Sequence, residues 1–509
     1  MYELKIRDAV AEVTGLDDVK IGFPPPSMRG DLSTNAAMVS STDPGRLCAA
    51  LEKLEEVESA ETAGPGFVNI TLSPGAYAEE LKLIAADPGK YGAGDRRGSI
   101  LVEMVSSNPT GPLHIGHGRG GAIGDSLARM CAKLGYRVLR EYYVNDTGRQ
   151  MNLLGESIRC ALEGRTPPAD GYRGEYIKSV ADELRGSSVD SGYSSRAGEL
   201  ILGWHLDVLK SFRITYDSVF RESRLAEEAL VKKTVESLRA GNLTYEKEGA
   251  LWFRSSRFGD TQDRVLRKSS GDLTYFASDC AYHLDKSRRA ERFINVWGAD
   301  HHGYTPRIKA FWEASGLGEK ELDILLYQLV DLKREGEKVS MSTRQGEFVT
   351  LQEVLDEVGA DAARFFMLMR SSDAPLEFDL ELARRQNSSN PVYYVQYSHA
   401  RICSVFAKAS RSPGELDLKE CDPGPEEYPL IKALGHFPYL LEKCVDLKAP
   451  HFMTEYLRDV ATAFHKYYDT VRVIGSGSRQ ETRLLLLSGV KGVISSGLEL
   501  LGVSAPERM

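Results

Sequence analysis

Several features are missing from this chain, and each absence narrows what it can be. It has no run of eighteen or more apolar residues, and its N-terminus lacks the basic, apolar and small-residue succession of an export signal. The expectation is therefore a cytoplasmic protein with no membrane span. Its seven cysteines are scattered without a Cys-x-x-Cys pair, which argues against a disulfide framework and for reduced thiols. An excess of positive charge is also lacking. With 64 Lys and Arg against 73 Asp and Glu the net charge is −9, unsuited to coating nucleic acid over the whole surface but compatible with local basic patches. We see no internal repeat and no low-complexity tract.

What is present divides unevenly. A chain of 509 residues is too long for one core and predicts about three domains. Residues 1–93 read as a small α+β unit, with helices at the start and from Pro44 to Glu58, and a strand from Gly66. Residues 94–375 read as α/β: a buried strand from Ser99, a helix ending at Gly135, and a strand YRVLREYYVND, the order of a parallel nucleotide-binding sheet. The stretch from about 150 to 290 reads as an insertion. Alternation then resumes with FINVWGAD, a helix from Thr305 to Ser315, and LDILLYQLV. Residues 376–509 read as a helical bundle, with Asn390 and Pro391 opening its first helix and three more amphipathic helices following.

The richest segment joins the first buried strand to its helix: Asn-Pro-Thr-Gly-Pro-Leu-His-Ile-Gly-His-Gly, from Asn108 to Gly118. A strand-to-helix junction aims backbone N–H groups at an anion. His114 and His117 add hydrogen-bond donors, and Gly116 and Gly118 leave room for a base or phosphate. Such equipment suits stabilising charge on a phosphate under in-line attack. Gly116, Gly118 and Gly121 also spell the dinucleotide fingerprint, with Glu141 near the ribose-binding position. A dinucleotide site, however, begins its glycines almost at the strand end, and this one does not. A carboxylate, Glu103, sits inside the apolar strand itself and calls for a buried cationic partner.

The segment matches the His-Ile-Gly-His signature of class I aminoacyl-tRNA synthetases, and the chain resembles their arginyl members over nearly its whole length. GDLSTNAAM (Gly30 to Met38), YYVNDTGRQ, VWGADHHGY, MSTRQGEFVTL, NPVYYVQYSHARIC and the closing LLGVSAPERM carry the resemblance. It implies a Rossmann-like catalytic domain with an insertion, an N-terminal domain that meets the tRNA elbow and a helical anticodon-binding domain. The implied partners are ATP with Mg²⁺, L-arginine and tRNA(Arg), with arginine activation needing bound tRNA and the protein a monomer. By the same resemblance His114, Gly116 and His117 are catalytic, and Gly111, Pro112, Gly118, Met341 and Ser342 meet ATP, with Lys338 and Arg344 added as cations of the same loop. Arginine falls to Glu103, Asn108, Tyr275, Asp279 and His301, a set whose two acids, amide and phenol suit a guanidinium fork and an α-amino group. Asp300 and His302, beside His301 at the end of a strand, are expected to line the amino-acid or the adenosine pocket. For tRNA the resemblance names Asn35; Tyr394, Tyr397 and Arg401 share one helix face where aromatics beside arginine suit unstacked anticodon bases, and Met509 is a further expected contact. Tyr394, Tyr397 and Arg401 also follow the spacing of a buried helix stripe, and His465, Lys466, Tyr467 and Tyr468 form a second aromatic-basic cluster with the same two readings. Cys280 and His283 have Cys-x-x-His spacing with two histidines following, but adjacent histidines rarely share one zinc, and no metal site is expected.

The chain departs from its relatives at the second class I signature, where lysines neutralise the ATP phosphates. The matching positions read Ser340-Met341-Ser342-Thr343-Arg344, and Gly111 occupies a place where some arginyl enzymes put a compensating lysine. Lys338 or Arg344 is expected to take the role with Mg²⁺ bridging the phosphates. Alanine at each position in turn is therefore expected to slow activation, and unchanged activation kinetics in both variants would refute the assignment.

Overall fold

The computed structural model describes residues 2–24, 28–186, 192–339 and 349–509; the second-signature residues Met341, Ser342 and Arg344 lie outside the described residues. At the N-terminus a helix, Tyr2–Thr14, packs with a four-stranded antiparallel sheet. Asp43 caps the helix Pro44–Leu51 by accepting from the Arg46 amide, and that helix stops at Leu51 rather than running to Glu58. Val57–Ala63 instead pairs with Phe67–Leu72, so sheet pairing overrides the helix propensity of its Ala and Glu.

The central core is a parallel sheet of β1 (Ser99–Met104), β2 (Arg137–Val144), β3 (Ser218–Arg221), β4 (Arg292–Gly298) and β5 (Leu322–Tyr327). Their spatial order is β5-β4-β1-β2-β3, with all neighbours parallel. Every residue of β1 is buried, as a strand covered on both faces requires. The chain builds outward from β1 to β3 and then returns to the other side of β1, so the strand order reverses between β1 and β4, where a crevice opens at the carboxyl ends. The expected insertion of 150–290 is not one block: β3 lies within it and forms an edge of the central sheet. The remainder supplies helices and a separate three-stranded sheet.

Helix α1 (Ile115–Lys133) follows the signature turn. Its glycines exist for packing rather than for a dinucleotide. A Cβ at Gly118 would meet Leu351 at 2.7 Å, at Gly121 Ile214 at 2.8 Å, and at Gly124 Met104 at 2.6 Å. Further along come α2 (Tyr275–Lys286), α3 (Leu351–Leu368), α4 (Pro391–Ala409) and α5 (His451–Thr470). After α4 four helices follow rather than three, because Pro438 opens a new helix at Phe437 directly after Tyr428–Gly435. Among the described residues no helix is long and apolar enough to cross a membrane.

Helical and catalytic domains are joined through a buried guanidinium. Arg364, on α3, is 0% exposed; Nε donates to the Leu501 carbonyl at 2.6 Å, Nη1 to the Phe212 carbonyl at 2.9 Å and Nη2 to Asp125 Oδ2 on α1 at 2.6 Å. Ser504 and Gln396 close the joint on Asp361. Arg364→Leu should leave Asp125 and two carbonyls short of donors and destabilise the joint by about 3 kcal/mol or more. Denaturant unfolding followed by a probe in each domain would check this; an unchanged transition would contradict it.

Candidate active site

The site grows from one row of side chains across the sheet. Asn295 on β4, Glu103 on β1 and Glu141 on β2 are register partners and share a face. Two carboxylates there must be neutralised, and α2 with the turn after it does so. Lys286, itself 0% exposed, places Nζ 2.6 Å from Glu103 Oε2 and also donates to Asn295 Oδ1. Arg289 pairs with Glu141, donating from Nη2 to Oε1 at 2.9 Å. The Tyr282 hydroxyl sits between the two acids, 3.1 Å from Glu103 and 2.8 Å from Glu141, and Trp297 Nε1 donates to Glu103 Oε1 at 3.2 Å. Burial, the largest single influence, would raise the Glu103 carboxyl; the Lys286 charge and hydrogen bond, with His283 and the Trp297 N–H, together outweigh it and hold it at about 2. Lys286 is thus the buried partner that Glu103 required, not a helix-surface charge. Glu141, fully engaged here, is unavailable to any ribose.

The signature turn presents two neutral imidazoles. His114 Nδ1 accepts from the Gly116 amide at 3.1 Å, and His117 Nδ1 accepts from the His114 amide at 3.2 Å. With both Nδ1 atoms acting as acceptors, each ring carries its proton on Nε2. The rings stack at 3.7 Å between centroids, and burial lowers both pKa values, so they act as neutral donors at pH 7. The backbone before them is strained: Val105 (φ 69°) and Ser106 (φ 44°) occupy left-handed conformations, unfavourable above all for a β-branched residue. A post holds this stretch. The Tyr142 hydroxyl donates to the Ser107 carbonyl at 2.9 Å and lies 3.0 Å from His205 Nδ1, while His205 Nε2 donates to the Gly111 carbonyl at 2.7 Å.

Above the carboxyl ends of the strands lies a cavity of about 1200 Å³. Every strand contributes residues that follow it: Val105 to Asn108 after β1, Asn145 after β2, Glu222 after β3, Ala299 to His301 after β4 and Leu329 after β5. Of the residues expected at the site, the cavity collects His114, Gly116, His117, Glu103, Asn108, Tyr275, Asp279, His301 and Asp300. Asn108 Nδ2 donates to Gln150 Oε1 at 2.5 Å, and Tyr275 stands 56% exposed at the mouth. Glu222, Tyr143 and Tyr304 also line it. Glu222 bonds Tyr143 and Ser278, and Asp279 bonds Tyr304, yet neither acid has an ion-pair partner among the described residues. Burial and mutual repulsion raise Asp279 to about 8, and burial raises Glu222 as well. Two such acids side by side would each be stabilised as carboxylates by an added positive charge.

Sequence reasoning missed Glu222, Tyr142 and His205. Glu222 looked like an ordinary acidic helix start; the signal available was its place immediately after a sheet strand. Other expected residues lie elsewhere. Gly118 faces Leu351 and Met367, so it serves helix packing rather than ATP. Gly111 meets the Tyr176 ring and contributes its carbonyl to the post. Neither Gly111, Pro112 nor His302 is among the lining residues, and Lys338 is held by Asp331 at 2.7 Å away from them. His283 is engaged at both ring nitrogens, by the Asp279 carbonyl at 2.8 Å and Asn295 Nδ2 at 3.0 Å.

On the helical domain, α4 and α5 bring a surface cluster together. Tyr397 is 39% exposed and lies 6.0 Å from the His465 ring, Tyr394 lies 4.9 Å from it, and Arg401 sits over Tyr468 at 4.6 Å. Tyr467 belongs to the core instead, its hydroxyl donating to Glu427. Asn35 occupies an N-cap position without making a side-chain cap bond, and Met509 is exposed.

A parallel sheet reversing beside β1, with a His-Ile-Gly-His turn at that point, defines the catalytic domain of a class I aminoacyl-tRNA synthetase; the family model "tRNA synthetases class I (R), catalytic domain" matches residues 81–166 and 206–402. The "Arginyl tRNA synthetase N terminal domain" matches 1–72, and the "DALR anticodon binding domain" matches 395–509. The chain belongs to the arginyl-tRNA synthetase family. Arginine–tRNA ligase of Desulfosudis oleivorans is 44% identical over 97% of this chain and 95% of its own, and that of Nitratidesulfovibrio vulgaris is 45% identical over 94% of each. The arginyl-tRNA synthetase structure from Thermus thermophilus shares the fold over 100% of both chains, with a TM-score of 0.82 at 24% identity.

The raised Asp279 carboxyl sets a pH dependence. Because its folded pKa exceeds its unfolded one, its contribution to stability is complete below the usual carboxylate range and is lost as pH rises through about 8. The ligand-free protein should lose up to about 1.4 kcal/mol per pH unit from this group between about pH 4 and 8. Stabilisation by L-arginine should grow over the same window. Melting curves across pH, with and without arginine, would show this, and an equal slope in Asp279→Asn would contradict it.

Proposed function

We propose that the acid pair Glu222 and Asp279 receives the arginine guanidinium, and that this cavity joins arginine to ATP and then to tRNA(Arg). The single observation behind the reading is a cavity that places two uncompensated acids and the His114–His117 donors in one space. A guanidinium between two carboxylates gains paired, charge-assisted hydrogen bonds that a neutral side chain would leave unmade. Asn108 and Tyr275 remain for the amino-acid end, and Glu103, neutralised by Lys286, offers an acceptor to the α-amino group while fixing α2.

In the first step the arginine carboxylate oxygen forms a bond to the α-phosphorus, the bond to the bridging oxygen breaks, and pyrophosphate leaves with the electron pair. His114 and His117 donate from Nε2 to the phosphate oxygens, with the positive end of the α1 dipole adding to the field. In the second step a terminal ribose hydroxyl of tRNA attacks the adenylate carbonyl and AMP leaves. No side chain is the nucleophile; orientation and electrostatics carry the rate. Among the described residues no group of three His, Cys, Asp or Glu side chains is arranged to hold a metal ion, so Mg²⁺ would arrive on the triphosphate and no step is routed through it. The exposed Tyr397, Arg401 and His465 cluster suits unstacked anticodon bases, and Asn35 and Met509 are offered as further RNA contacts.

Arginine-dependent pyrophosphate exchange, run with and without tRNA, tests the reaction. Asp279→Asn and Glu222→Gln should each lower kcat/KM for arginine by about 10²-fold, the worth of a charge-assisted pair, with KM for ATP little changed. If both retain wild-type arginine kinetics, the cation subsite is misassigned.

A further inference from the structure

Helix α1 carries a cation that this scheme does not use. Arg119, two residues beyond His117, is 0% exposed. Its hydrogen bonds go to carbonyls and to no carboxylate: Nη1 donates to Gln328 at 2.8 Å, and Nη2 to Ser371 and Ala374 at 2.9 Å each. Nε has no partner. Burial draws its pKa down to about 10, which still leaves it charged at neutral pH. Taking a guanidinium out of water to hydrogen-bond only carbonyls, with Asp373 as a nearby counter-charge that it does not bond, is expensive, and a neutral side chain could join two loops more cheaply. The arrangement therefore calls for a function beyond filling space.

The groups that Arg119 holds identify that function. Gln328 follows β5 and lies between Tyr327 and Leu329, both of which line the cavity, Leu329 being 77% exposed. The same short segment is stitched to the 371–374 turn, the Gln328 amide donating to the Ser372 carbonyl at 2.8 Å and the Leu376 amide to the Leu329 carbonyl at 3.1 Å. Against the neighbouring residue of α1, the Tyr327 ring packs so closely that a Cβ at Gly120 would stand 2.5 Å from it. Arg119 and Gly120 together thus fix how far the wall after β5 stands from the signature turn.

Sheet order says which ligand that wall meets. The acid Glu222 follows β3 and Leu329 follows β5, and these are opposite edges of the five-stranded sheet. On the reading above, the arginine subsite occupies one end of the cavity, and the end bounded by Gly116, Gly298 and Leu329 is left for the adenosine of ATP. We propose that Arg119 is a positioning residue for the nucleotide: by holding the Gln328 carbonyl it sets Tyr327 and Leu329 against the signature turn, and ATP binding depends on it while arginine binding does not. The proposal rests on the reading that the β5 end receives adenosine.

Steady-state aminoacylation by the full chain tests it, with KM for ATP and for arginine measured separately. Arg119→Met should raise KM for ATP about ten-fold or more and leave that for arginine within about two-fold, and Arg119→Lys should recover most of the loss. Gly120→Ala, which must displace Tyr327, should reproduce the ATP defect and serves alone if Arg119→Met does not fold. ATP and arginine KM values rising together, or a lowered melting temperature with both unchanged, would overturn the positioning role. Leu329→Ala separates the two layers: if it alone raises KM for ATP, only the role of Arg119 falls. If none of the variants moves KM for ATP, the adenosine reading falls with it.

Discussion

The ion pair between Glu103 and Lys286 governs the geometry of the whole site. A carboxylate in the middle of a covered parallel strand cannot be solvated, so it requires a cation, and the sheet can obtain one only by docking α2 in a single register. Lys286 stands near the C-terminal end of that helix. Asp279, Tyr282 and His283 precede it by about one to two turns and fall on the same face. Locking Lys286 onto Glu103 therefore delivers Tyr282 to both sheet acids, seats His283 on Asn295 and presents Asp279 to the cavity. One buried pair sets the position of the subsite acid without touching it.

The two ends of the cavity solve opposite electrostatic problems. At the β3 edge, Glu222 and Asp279 have no ion-pair partner among the described residues, and on the reading proposed above a cationic substrate supplies the counter-charge. Placing lysines beside them would cancel that advantage, and the turn proposed to meet the phosphates presents neutral imidazoles. Uncharged donors stabilise developing negative charge without competing for Glu222 and Asp279. The strained Val105 and Ser106, supported by the Tyr142–His205 post, are the local cost of aiming that turn.

Much of this was legible from residues alone. The signature from Asn108 to Gly118 announced its strand-turn-helix setting, and Glu103 inside an apolar strand implied its buried cation. Less legible were features decided by partners distant in sequence. Glu222 has the local look of a solvated helix start, and only its position at the end of a sheet edge strand makes it a cavity acid. Gly118 read as space for a ligand, whereas it admits Leu351. The strand at Val57–Ala63 was hidden by residues that favour helix in isolation, and β3 by its shortness within a stretch that looked like an insertion. Tyr394 and Tyr467 carry similar local signatures; tertiary packing puts one near the surface cluster and the other in the core.

Arg364 gives the fold a chronology. Its donors are satisfied by Asp125, by Phe212 and by the carbonyl of Leu501, 137 residues downstream. During synthesis the sheet and α3 emerge long before that carbonyl exists, so the half-built catalytic unit holds an interior charge with one of its acceptors not yet made. Its maturation is consequently tied to the arrival of the helical bundle: a ribosome-bound intermediate would carry the signature turn yet lack the final clasp that steadies it.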